Sequence, residues 1–133
     1  MAVEGLDHLA ITVADVEVTL DWYERALGAA RLHHDLFVSG AIPIALLQVG
    51  GARLSVHSAA APAGPHAVAP TPGSADVCFR WSGPISGAVE ALAAAGVEVE
   101  EGPVPRPAST GVMGESIYCR DPDGNLVELL TIG

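Results

Sequence analysis

Four side chains in this sequence carry groups that hold divalent metals: His8, His57, Asp76 and Glu128. Two imidazoles and two carboxylates converging on one point suit iron, manganese, nickel, cobalt or zinc, and either carboxylate would also serve as a base. Glu128 is the most informative of the four. It sits in "LVELL", an apolar setting in which a carboxylate needs a cation, hydrogen bonds or solvent to stay charged. Each residue also has a plainer use. His8 alone reads as a packed strand histidine, Asp76 as the end of a turn, His57 as a solvent-facing strand end, and the neighbouring Cys78 as a small buried hydrophobe. His33 and His34 are adjacent in a strand-like run, so they point to opposite sides and do not both face a site. Arg106 in "PVPRPAST" reads as a loop cation, with substrate contact as the alternative, Glu100 and Glu101 as a solvated strand end, and Tyr118 and Arg120 as pocket-lining candidates of open strand phase.

The elements that must position these residues follow from hydrophobic period. Leu9, Ile11 and Val13 share one face of a strand while His8, Ala10 and Thr12 share the other. Asp15 then stands as N-cap of an amphipathic helix, "VEVTLDWYERAL", which Gly28 ends. Three strand-like runs come next: "ARLHHDLFV", "AIPIALLQV" and "ARLSVHSA".

The second half repeats this plan. "ADVCFRW" alternates, "PISGAVEALAAAG" is helical with Pro84 as its first residue, and strands follow at "VEVEE", "ESIYCR" and "NLVELLTI", the last two joined by the turn "DPDG". Laying His8 on Asp76 also lays Asp15 on Gly83 and Gly28 on Gly96. Laying Gly51 on Gly124 puts Ser55 on Glu128, with His57 on the same face as Ser55. The expected fold is therefore α+β: two β-α-β-β-β modules, 5–58 and 74–133, joined by a linker at 59–73 rich in Pro, Ala and Gly. If both sheets curl alike and join edge to edge, they form one cupped mixed sheet, and His8, His57, Asp76 and Glu128 line its cavity.

Composition narrows the function classes. A chain of 133 residues with half its residues apolar suits a single domain with a real core. The formal charge of −10 disfavours nucleic acid and anionic lipid as partners and mildly favours cationic ligands. No apolar run approaches membrane-spanning length and no secretory pattern opens the chain, so the expected location is the cytoplasm. Cys78 and Cys119 fit neither a disulfide framework nor a zinc motif and read as reduced thiols.

The blocks "LDHLAITVADVEVTLDWYERALG", "PTPGSADVCF" and "YCRDPDGNLVELL" together resemble the vicinal oxygen chelate superfamily of glyoxalase I, extradiol dioxygenases, fosfomycin resistance proteins and bleomycin resistance proteins. The resemblance implies a metal that chelates adjacent substrate oxygens, commonly in a homodimer. It puts His8 at the first-strand ligand position and Glu128 at the last-strand position. Two positions depart from the pattern: Asp76 stands where a histidine is usual, and Ser55 where glyoxalases have a glutamate, with His57 two residues on. The implied function is lyase or isomerase chemistry on a small substrate with vicinal oxygens. The alternatives are a metal-free bleomycin-resistance-type binding protein and an iron-dependent dioxygenase.

Overall fold

The computed structural model describes all residues, 1–133. The chain forms two compact units, Met1–Pro72 and Gly73–Gly133. The first contains β1 (Leu9–Val13), α1 (Val16–Leu27), β2 (Ala30–Leu32), α2 (His34–Val38), β3 (Ala45–Val49) and β4 (Ala52–Ser58). The second contains β5 (Asp76–Arg80), α3 (Ile85–Ala94), β6 (Glu101–Pro107), β7 (Met113–Arg120) and β8 (Leu126–Thr131). Each unit builds one four-stranded mixed sheet, ordered β1-β4-β3-β2 and β5-β8-β7-β6, in which the first and last strands of the unit run parallel side by side.

The internal repeat is visible in the register. Ala10 lies opposite Ser55 in the first unit and Cys78 opposite Glu128 in the second, the equivalence expected from the sequence. In the first unit the apolar face, with Ile11, Val13, Leu54 and Val56, is buried together with Leu20 and Tyr23 of α1. In the second, Val127, Leu129, Ile117 and Cys119 are buried with Ile85, Ala88 and Leu92 of α3. Burying such a face is what holds each helix on its sheet. The helix signals act as read: Asp15 Oδ1 accepts from the Val18 N–H at 3.1 Å, and Gly28 ends α1 at φ 65°, a left-handed conformation that costs glycine little.

Three expectations are corrected. The run "ARLHHDLFV" is not one strand. β2 stops at Leu32, His33 turns the chain at φ 50°, and His34 opens the short helix α2, where Arg31 and Glu17 hold its ring. Pro84 precedes α3 as its cap, with ψ 149°, and is not its first helical residue.

The third correction concerns "VEVEE". Its start closes α3 instead, through the Val97 N–H on the Leu92 carbonyl. The strand begins at Glu101 and takes in "PVPRP", so Arg106 is a strand residue and not a loop cation. Pro103, Pro105 and Pro107 are tolerated there because β6 is an edge strand, and alternate residues leave their missing N–H groups on one side. No helix is long and apolar enough to cross a membrane.

Candidate functional site

In the first unit the polar face of β1 and β4 opens into a cavity of about 370 Å³ lined by His8, Thr12, His57, Pro65, His66 and Pro70, among others. His8 and His57 thus share one space. Thr12 is the direct cross-strand neighbour of His57. The His8 ring donates from Nδ1 to Asp7 Oδ1 at 2.7 Å, which fixes its orientation and leaves Nε2 free for another partner. His57 is half-buried, yet its Nδ1 is wholly shielded and makes no hydrogen bond. The segment read as a linker supplies a third imidazole: His66 Nδ1 donates to the Ala67 carbonyl at 2.8 Å, so its free lone pair also lies on Nε2. Sequence reading missed His66 because it falls in a stretch without period.

The second unit carries Asp76 and Glu128 on one sheet face. Asp76 is exposed at the start of β5, two residues before Cys78, whose strand partner is Glu128. Glu128 is half-buried, and its Oε2 accepts from the Ser116 hydroxyl at 2.6 Å. Tyr118 lies directly across from Glu128 on β7, and Arg106 Nε donates to the Tyr118 hydroxyl at 3.0 Å. Tyr118 is therefore on the site face, which settles its strand phase. Burial raises its phenol above the ordinary range; Arg106 pulls the other way, and Glu128 adds to the rise. Arg120 is tied in a two-pronged pair to Glu100, which is accordingly not a bare solvated acid.

Cys78 is exposed, contrary to its reading as a buried hydrophobe; the buried thiol is Cys119. The Cys78 sulfur is still partly shielded, and that burial together with the Glu128 charge pushes its thiol up to about 11. The sequence did hold a signal for Ser116 and Tyr118. The "DPDG" turn sets the β7–β8 register, so residues two apart in "ESIYCR" fall on the Glu128 side.

No three His, Cys, Asp or Glu side chains gather in metal-holding geometry within the chain. The four candidate ligands are arranged as two pairs, His8 with His57 in the first unit and Asp76 with Glu128 in the second. Each pair has donors suited to a divalent ion, and the two imidazoles that line the first unit's cavity are the clearest fit to one.

The chain matches the family model described as Glyoxalase/Bleomycin resistance protein/Dioxygenase superfamily over residues 5–129. It is 39% identical over 129 residues to virulence protein STM3117 of Salmonella typhimurium, covering 97% of this chain and 85% of that protein. The crystal structure of STM3117 superposes with a TM-score of 0.88 over all of both chains. Glyoxalase domain-containing protein RDO1 of Mycosarcoma maydis is 40% identical over 131 residues, 97% of this chain and 69% of that one. A fosfomycin resistance protein, FosX of Listeria monocytogenes, shares the fold at 22% identity and a TM-score of 0.64, over 99% and 92% of the two chains. That structure is of a point mutant in complex with Mn(II) and 1S,2S-dihydroxypropylphosphonic acid.

Proposed function

The chain belongs to the glyoxalase/bleomycin resistance protein/dioxygenase superfamily, and from that premise we propose a metal-dependent enzyme that performs lyase or isomerase chemistry on a small substrate with vicinal oxygens. In this reading His8 and His57 hold the ion at the first unit's cavity, and Glu128 and Asp76 are the further candidates for ligand and base. Manganese is the first metal to try, because the FosX complex contains it.

The observation that carries the reading is the cavity that His8 and His57 line together, with the second ring nitrogen of His8 unbonded. A bound divalent ion supplies Lewis-acid polarisation of the two substrate oxygens. The protein's own groups do the rest. Asp7 fixes the His8 ring, Ser116 orients the Glu128 carboxylate, and Glu128 or Asp76 accepts the substrate proton. The working form in this proposal is a cytoplasmic homodimer.

Elemental analysis of the purified protein, followed by activity assays with each metal restored, tests the proposal. A protein that neither carries nor gains stoichiometric metal at neutral pH refutes it. One observation favours a second reading, a metal-free drug-binding protein: the charge of −10 suits a cationic ligand. Titration with bleomycin-type compounds separates the two, since tight binding indifferent to chelator supports sequestration.

A further inference from the structure

Charge pairing is uneven across this acidic chain. Its basic residues are six arginines against sixteen acids, so a carboxylate partner is easy to find. Arg25 is set against Asp21, Arg31 against Glu17 and Glu24, and Arg120 against Glu100. Arg53 and Arg80 are exposed to solvent. Arg106 differs from both groups, being half-buried and without a carboxylate partner. It lies on β6, on the same sheet face as Ser116, Tyr118 and Glu128. Its guanidinium is nonetheless held firmly. Nε donates to the Tyr118 hydroxyl at 3.0 Å, Nη1 donates to the Pro105 carbonyl at 2.9 Å, and the guanidinium carbon lies 5.7 Å from the centre of the Tyr118 ring.

Those two bonds occupy two of the five N–H donors that a guanidinium presents, so both hydrogens on Nη2 and one on Nη1 have no protein acceptor. A fixed, half-buried cation with unused donors beside a carboxylate fits recognition of a small oxyanion. Holding the guanidinium in place beforehand also lowers the ordering cost of binding. We propose that Arg106, steadied by Tyr118, is the anion-recognition residue of the Glu128 face, and that the substrate carries a carboxylate, phosphonate or phosphate besides its chelating oxygens. The proposal rests on the reading that substrate occupies this face. It opposes what the net charge alone suggests, because Arg106 is not ion-paired.

The test uses propionate and methylphosphonate, small anions that lack vicinal oxygens, with propionamide as the neutral control. The 133-residue protein, with and without Mn(II), is titrated while the Arg106 Nε–H resonance is followed by NMR, and Mn(II) affinity is measured separately. The expected result is a saturable shift of that resonance with one or both anions and none with propionamide. Arg106→Gln should weaken anion binding at least tenfold while Mn(II) affinity stays within twofold, and Arg106→Lys should retain part of the binding. Preference between the two anions identifies the substrate's anionic group. Absence of any shift, or equal anion affinity in Arg106→Gln, overturns the inference. Loss of Mn(II) binding in the unsubstituted protein overturns the metal-enzyme reading instead, and the metal-free titration still decides the role of Arg106.

Discussion

The Ser116 hydroxyl donates to Glu128 Oε2 over 2.6 Å, and the serine that makes this bond is fully buried between the strand partners Val104 and Leu130. The carboxylate is thus oriented from below by a group that cannot move away. Ser116→Ala removes the donor and leaves Glu128 to swing. Groups that orient ligands in this way typically contribute 10–100-fold to metal affinity. If Glu128 is a ligand, calorimetric titration of Ser116→Ala with Mn(II) should show a loss of about tenfold; in either case about 1 kcal/mol of stability should be lost in urea unfolding.

Glu128→Gln keeps shape and removes charge. If Glu128 is a ligand, the variant loses Mn(II) binding by roughly 100-fold or more while its melting temperature changes by only a few degrees. A second readout does not depend on metal. The Cys78 thiol, held up at about 11 by burial and by Glu128, is almost wholly protonated at pH 8. Removing the Glu128 charge lowers that value and raises the thiolate fraction, so Cys78 alkylation by iodoacetamide at pH 8 should accelerate several-fold. Buried Cys119 serves as the unreactive internal control.

Stability should fall in alkaline solution. Cys78 and Cys119 both sit at about 11 in the folded chain against 9.0 for a free thiol, mainly through burial. The unfolded chain therefore loses these protons first as pH rises. The contribution of the two thiols is complete below pH 9 and disappears as pH climbs through 11. Urea unfolding between pH 8 and 11 should show this decline, and Cys78→Ala combined with Cys119→Ala should flatten it.

Asn125 ties the "DPDG" turn to the second sheet. It is 1% exposed, its Nδ2 donates to Asp121 Oδ2 at 2.8 Å, and its Oδ1 accepts from the Ala75 N–H at 2.9 Å at the entry to β5. Asn125→Ala removes both of these bonds from a buried site, and a loss of about 2–3 kcal/mol is expected from denaturant unfolding. Because this turn also sets the β7–β8 register, the same variant should lower Mn(II) affinity if Glu128 is a ligand.

The sequence by itself determined the repeat, the faces and the punctuation. Alternation put Glu128 and Cys78 on one side of their strands and Val127, Leu129, Val77 and Phe79 on the other, because side chains in a strand have a period of two wherever the strand lies. Asp15 and Gly28 bounded α1 through local hydrogen bonding and backbone freedom, which need no distant partner. Only tertiary structure decided what depends on pairing. β6 takes a run of alternating prolines because it is an edge strand, and edge position is a property of the sheet, not of the "PVPRP" stretch. His33 and His34 left the strand pattern because the chain turns there into α2, with Arg31 and Glu17 gathered around the His34 ring. The contact of Ser116 with Glu128, the presence of His66 in the cavity of His8 and His57, and the unpaired state of Arg106 all depend on which segments fold back on which. Proximity between residues far apart in the chain leaves no periodic trace along it.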